Sequence, residues 1–590
     1  MKNVCRLLQK SHWIGLLLWM GIFALPSVGK SDERIPFTGP LLRVESGMHA
    51  GLVRRIAVDE EDRYIFSVSD DKTLKIWSQA DGRLLLTLRV PIGLTNEGAL
   101  YAMDISPDGR TVAVAGQTGP EWENSFCIYL LDVREGKMRR RICNLPEAVN
   151  HLAFSATGGY LAAVFGEKAG LRVFGIPEGA LVYASEPYQS PSNWVDFAAN
   201  GRLVTSSYDG AVRLYDENFR LLVTKQVPKP SKPYGVAFSP DGSKIAVGLR
   251  DRPAVVVLSG EDLSLSYLPD VAGVKNNLWV VAWSKDGRVL YAGGGHKNKG
   301  RNLMRWWSNA GEPNAQGRGD YVDVPASQDT VMQIVPVKEG GVVFAAADSS
   351  LGLLDRQGFP LFIKEQSTVS FQGSVRRLLV SEKGDVVDFD YDASGQQRGR
   401  FSVSQLLLNA SDGNTDGMEI PRLSTETMRV TGFGGSSQLM LNGSPIPLEA
   451  REIPLSLDVD YKDRFLILGT SVNLRLYDKN GSLYWKKATP GPVWAVNTSG
   501  NGLWVIAAIA DGTIRWYSAM RGDERMALYV HKDQKRWAVW SPQNLYGTSV
   551  GGETLIGWHL NRGKDQLAEF YPVTQFPQYL QLDYFKNLFQ

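Results

Sequence analysis

Three features of the 590-residue sequence predict an all-β fold built from repeated four-stranded units. A polar hairpin recurs along the chain, Asp/Asn-Gly turns follow short apolar strands, and no window sustains a helical period. The hairpin is clearest at 67–77 (SVSDDKTLKIW): a strand ends in serines, Asp71 turns the chain, and Leu74 and Ile76 alternate before Trp77. Variants stand at 206–215 (SSYDGAVRLY), 510–517 (ADGTIRWY) and 469–477 (GTSVNLRLY). First strands at 100–105, 151–154, 195–198, 234–238, 279–283 and 331–337 each run into a turn such as Ser-Pro-Asp-Gly. Units of four short strands about 40 to 50 residues apart are propeller blades.

The count of such units, about 12–14, exceeds the four to eight that usually fill one ring, so two propellers in tandem are expected. The first, seven-bladed, spans 40–366. A second, more degenerate one spans 367–562, and 563–590 forms a C-terminal tail. Within the second region, 409–427 reads as a polar loop, 430–447 as short and irregular, and 536–540 as the start of a last unit. A spare strand at 41–44 is expected to join the last blade and close a ring, removing exposed edges.

The formal net charge is +2, which is no footprint for nucleic acid. Residues 1–29 read as a signal peptide: Lys2, Arg6 and Lys10 precede an apolar run at 14–25 and small residues. The run is too short for a membrane span of ~20 residues. The expectation is therefore an exported bacterial protein, periplasmic or secreted, that meets the membrane only through this segment. Cys127 and Cys143 flank a turn at 134–136 and are expected to face each other across a hairpin as a candidate disulfide, which export would permit.

From residue 40 onward the sequence resembles the WD-repeat family. The resemblance implies a hydrogen-bonded network of His49, Ser67, Asp71 and Trp77 within the first blade, with Asp209 and Asp511 as the turn aspartates of other blades. Most blades lack the His, and Tyr215, Phe174, Tyr477 or Leu258 takes the Trp position, so the network is largely degenerate. These residues are scaffold. The stretch 535–576, with its W-x-x-W-S-P, G-G-x-x-L-I-G-W-H and N-R-G motifs, further resembles the junction of bacterial two-part proteins that join a WD-repeat region to a caspase-like peptidase. Such a peptidase needs a His–Cys pair. No cysteine lies beyond Cys143, so the expectation is the propeller half alone.

Other chemistry finds little support. The six histidines are scattered, with no C-x-x-C or H-E-x-x-H, and the acidic turn 59–62 lacks the pattern of a calcium loop. Arg139, Arg140 and Arg141 read as charges guarding an outer strand, and 297–301 as a basic loop. Two stretches, 354–362 and 477–485, resemble quinoprotein repeats; a lactonase-like, metal-dependent hydrolase is the other enzyme alternative. The expected function is a non-catalytic protein–protein interaction scaffold of the cell envelope, with no cofactor and no nucleic-acid partner. A separately encoded caspase-like protease is a candidate partner, and Trp122, in the loop 116–125, is the expected contact residue.

Overall fold

The computed structural model describes residues 36–590 except 229, 393, 435–437, 450 and 451. The segment read as a signal peptide lies outside the described residues. Residues 35–590 form one compact unit. Its described part is nearly all β: twelve antiparallel sheets, of which seven have four strands.

Blades 1 to 7 occupy 53–89, 100–145, 149–184, 192–226, 233–267, 280–327 and 331–364. Their strands alternate inward apolar residues with turn residues. At 239–242 Ser239 Oγ and Ser243 N both donate to Asp241, and Gly242 takes φ 71°, where a side chain would be strained. The innermost strands of the seven blades lie side by side, and Val331–Pro336 of blade 7 returns to Val53–Val58 of blade 1. The first ring thus closes within 53–364. Its closure is pinned where Ile56 N donates to Gln333 Oε1 (3.0 Å) and Ser349 Oγ to Gly51 O (2.7 Å).

The second region holds sheets at 379–410, 430–445, 454–488 and 493–548. The 430–445 and 454–488 sheets share one apolar core. Ser456 Oγ donates to Val493 O (2.8 Å), and Trp516 Nε1 reaches Gly384 O (2.8 Å), joining the 454–488, 493–548 and 379–410 sheets in turn. Two expectations are corrected here. Residues 536–540 do not start a new unit: Trp537–Trp540 pairs with Glu524–Val530 and prolongs the same sheet to six strands. The reason lies in the fourth strand, where Met526 to Val530 are buried, whereas the equivalent Leu221–Gln226 of blade 4 is largely exposed. An apolar fourth strand cannot serve as an outer edge.

The second correction concerns the expected bounds of the first propeller and of the tail; the spare strand at 41–44 does join the last sheet of the chain, as expected. Leu41–Val44 takes no part in the seven-blade ring; it pairs with Ile556–Leu560, which pairs in turn with Glu569–Pro572. The expected tail at 563–590 therefore supplies a strand of this clasp sheet. Glu45 beside it holds the buried Lys75 (2.6 Å) and Arg89 of blade 1. Asn561 receives Ile92 N (3.0 Å) and donates to Ile92 O and Phe37 O (2.8 Å each). A Cβ at Gly557 would lie 2.4 Å from the Phe570 ring, so glycine is required there. Of the motifs in 535–576, G-G-x-x-L-I-G-W-H and N-R-G build this clasp, whereas W-x-x-W-S-P lies in the six-stranded sheet.

A repeated carboxylate staples neighbouring blades. Asp104, Asp196 and Asp458 stand at the same place on three innermost strands and accept the N–H of Phe154 (2.6 Å), Phe238 (2.8 Å) and Thr498 (3.0 Å) of the next sheet. Burial raises the Asp458 pKa to about 7, against the pull of its hydrogen bonds and of Arg422. The folded state thus holds this proton more tightly than the unfolded chain, and the group adds stability as pH falls from about 7 toward 4. One proton contributes a slope of at most about 1.4 kcal/mol per pH unit. Buried His559, lowered by burial to about 3, works in the opposite sense. Asp458→Asn is expected to reduce the stabilisation seen between pH 7 and pH 5, measured as the shift in urea midpoint relative to the wild type.

Candidate interaction site at the axial mouth

The blade 1 network is assembled. Trp77 Nε1 donates to Ser67 Oγ (2.8 Å), Ser67 Oγ lies 2.8 Å from His49 Nε2, and His49 Nδ1 lies 2.8 Å from Asp71 Oδ2. With the proton on Nδ1, every donor in this chain meets an acceptor. Asp71 also takes Ala50 N and Thr73 N, which fixes the turn. Blade 4 rebuilds the arrangement with other residues. Tyr188 precedes its strand as His49 does, and its hydroxyl meets Thr205 Oγ1 (2.9 Å) and Tyr215 Oη (2.6 Å). Asp209 and Asp511 hold their turns through Ala211 N (3.0 Å) and Thr513 N (3.1 Å) and pair with Arg213 (2.7 Å) and Arg515 (3.0 Å). These groups sit inside blades and stabilise them.

Cys127 and Cys143 are joined, with sulfurs 2.07 Å apart. A bulge between Phe126 and Ile128 lets Cys127 meet the opposite strand at this point. Trp122 is corrected: it is 5 % exposed and cannot be a free contact residue. Residues Pro120–Glu123 form a helical turn, held because the Glu97 carboxylate accepts Gly119 N (2.6 Å) and Glu121 N (3.0 Å), and the turn directs the indole inward.

The surface side chains with access to the axis come from a feature that alternation does not show. The innermost strands of blades 1 to 5 and 7 each carry a β-bulge at the start, as do two strands of the second region. The extra residue is Arg54, Tyr101, Asn150, Asn193 or Met332 in blades 1, 2, 3, 4 and 7, and Trp494 in the 493–548 sheet; in blade 5 it falls at Tyr234–Gly235. A bulge re-aims a side chain that the pleat would otherwise place in a face. Here Arg54, Tyr101, Asn150, Asn193 and Tyr234 line one cavity of about 300 Å³ at the axial mouth, together with Arg55, Tyr208 and Arg250. A second cavity of about 360 Å³ shares Arg54, Tyr234 and Arg250 with it; its far wall is Phe371, Pro490, Pro492 and Trp494 of the second region. The mouth is thus roofed on the side of blades 6, 7 and 1. The sequence signal was present: each inner strand opens with a polar or aromatic residue out of step, as in VRRI, LYAM, VNHL, SNWV and PYGV.

Arginine–aromatic contacts stiffen this mouth. Arg54 lies 4.9 Å from the Tyr101 ring and Arg250 4.0 Å from Trp279, while Tyr234 stacks on Trp279 at 5.0 Å. His151 stacks on Trp194 (4.1 Å), and burial, reinforced by the Arg55 charge, keeps its pKa well below the usual histidine value. Among the described residues no group of three or more His, Cys, Asp or Glu is placed to hold a metal ion.

With this geometry in place, comparison with known proteins is informative. The family described as "WD domain, G-beta repeat" matches residues 41–78 and 188–216. These are blades 1 and 4, the two in which a side-chain triad ties the leading loop to strands two and three. The architecture is that of WD40-like propeller blades, and such repeats indicate a protein-interaction scaffold. Among curated proteins, the "Ribosome biogenesis protein BOP1 homolog" of Drosophila ananassae is 31 % identical over 97 residues, which is 16 % of this chain and 11 % of that protein. The chain therefore spans a small part of this relative. The finding overturns the expected location: the named relative is a ribosome biogenesis protein and points away from a bacterial, exported, cell-envelope protein. The peptidase relationship suggested by 535–576 finds no support in either match.

Two outcomes test this description. Ser67→Ala removes the shared partner of His49 and Trp77 and is expected to cost roughly 1–3 kcal/mol in chemical denaturation. Trp122→Ala is expected to cost about 3–5 kcal/mol as a core truncation, read in the same experiment.

Proposed function

We propose that the chain is a non-catalytic scaffold that takes a protein segment at the bulge-lined mouth of the seven-blade ring. The observation that carries this reading is the ring of bulged side chains: five inner strands of one closed ring aim polar or aromatic residues into one cavity. Tyrosine, tryptophan and arginine supply large, well-ordered contact area and dominate binding energy at interfaces. Tyr101, Tyr208 and Tyr234 are half-buried at the mouth, and Arg250 is exposed there. The outer strands offer less: their exposed leucines, such as Leu86, Leu181, Leu222 and Leu265, are spread over separate blades.

The test is affinity capture by the full chain with quantitative mass spectrometry of the bound proteins. Tyr208→Ala is expected to lower capture of the principal partner at least tenfold, while Leu222→Ala on the outer strand of blade 4 leaves it unchanged. Equal capture by both variants would remove the mouth as the binding surface. The identity of the captured protein then separates two partner classes, a caspase-like protease and the ribosome biogenesis factors that the Drosophila ananassae relative suggests.

A further inference from the structure

The axial mouth contains a positive charge with no counter-charge. Of the side chains lining the 300 Å³ cavity, three are arginines, three are tyrosines and two are asparagines; none is acidic. Arg54 is neutralised by Asp70, to which it donates two hydrogen bonds (2.8 and 3.0 Å). Arg55 differs. It is 2 % exposed, its guanidinium donates to the carbonyls of Arg54 and Asn150 (2.9 Å each), and its Nε has no partner. No carboxylate among the described residues forms an ion pair with it; its face rests 4.6 Å from the Trp194 ring. Arg250 likewise touches the protein through its face, on Trp279 and Tyr234 (4.0 and 5.7 Å), and makes no ion pair among the described residues.

An ion taken out of water costs several kcal/mol unless an opposite charge or a full set of hydrogen bonds replaces the solvent. Carbonyl oxygens satisfy two of the Arg55 donors and leave its charge uncompensated. The arginine of blade 4, Arg213, and that of blade 6, Arg305, each have an aspartate (2.7 and 2.8 Å). Arg55 is the departure, and it faces a cavity. Cation–aromatic contact uses the flat face of a guanidinium and leaves the N–H edge for an acceptor in its plane, the geometry by which arginine grips carboxylates and phosphates.

We propose that the cavity between blades 1 and 5 is an oxyanion pocket, in which Arg55 and Arg250 receive a carboxylate or phosphate group carried by a protein segment, with Tyr101, Tyr208 and Tyr234 packing against its flanks. The inference rests on the interaction reading above and adds the chemistry of the ligand. The roof formed by Phe371 and Trp494 bounds the second cavity beside the pocket and gives the chain flanking the anionic residue an apolar wall to lie against.

The experiment uses the full chain and three probes: inorganic phosphate, a peptide with a central run of aspartates, and the same peptide with phosphoserine in their place. Binding is followed by calorimetry at constant ionic strength, with a serine peptide as the neutral control. The phosphoserine peptide binding at least tenfold more tightly than the control assigns the phosphate source, and the aspartate peptide doing so assigns the carboxylate source; inorganic phosphate reports whether the group alone suffices. Arg250→Met, at an exposed position without hydrogen bonds to lose, is expected to fold and to weaken the favoured peptide about tenfold. Arg55→Met is expected to abolish binding, and its thermal midpoint reports whether it folds. Failure of both peptides to exceed the control, or equal binding by wild type and Arg250→Met, overturns the pocket. A chain that captures a protein partner through Tyr208 yet ignores both peptides refutes the pocket alone. Peptide binding with partner capture unaffected by Tyr208→Ala refutes the scaffold surface alone.

Discussion

Ring closure is the constraint on which the rest of this structure depends. Twisted four-stranded sheets can share one axis only if their innermost strands converge, and near the axis a side chain on every residue would collide with its neighbours. The seven blades meet this with small or apolar inward residues along the strands and a bulge at the head of most of them. The bulge turns one residue per blade toward the mouth, so the packing solution and the candidate binding surface are one feature. Between blades the same economy appears in the carboxylates at 104, 196 and 458, which satisfy backbone donors across a seam where no strand pairing exists.

A second regularity runs along the third strands. A cation stands two residues before the aromatic in several sheets: Lys75 before Trp77, Arg213 before Tyr215, Arg305 before Trp307, Arg475 before Tyr477 and Arg515 before Tyr517. Each has an acidic partner, supplied from different places: Glu45 before the blade, Asp209 in the turn, Asp323 on the fourth strand, Glu452 ahead of the first strand, and Asp511 with Glu524. Because these five cations are neutralised locally, the charge at 55 and 250 stands out by contrast rather than by amount; Arg172, two residues before Phe174, donates to a carbonyl, Asn144 O, instead.

Much of the fold was legible in the sequence because turn chemistry and alternation are local. The blade 1 network of His49, Ser67, Asp71 and Trp77 followed from the resemblance to WD repeats, and the pairing of Cys127 with Cys143 from a hairpin about Glu135. The equivalent triad of blade 4 did not read, since Tyr188, Thr205 and Tyr215 keep the geometry while changing all three side chains. Trp122 misled because loop residues are expected outside, whereas Glu97, a residue remote in sequence, caps the turn and buries it. The mouth was illegible for a different reason. A bulge is a defect in register, and register is decided between strands, so the out-of-step residue in VRRI or VNHL becomes a bulge only through its pairing with the neighbouring strand. The location expected from the basic residues, apolar run and small residues of 1–29 gave way to the named relative.

The clasp between Leu41–Val44 and Ile556–Leu560 has a consequence for the order in which the protein is made. The seven-blade ring is complete once residue 364 has emerged, because its closure uses no residue of the clasp. The strand that will lock it to the second region is synthesised first and must wait for a partner about 200 residues beyond the ring. From its own emergence that strand waits for over 500 residues, which at ~5–20 residues per second is about 25–100 s. During it, one short strand keeps an unpaired edge open to any β-chain nearby. Its four-residue length, with Arg43 at its centre and Glu45 at its end, limits that exposure, so the device that finally unites the two regions is also the element most in need of protection while the ribosome is still at work.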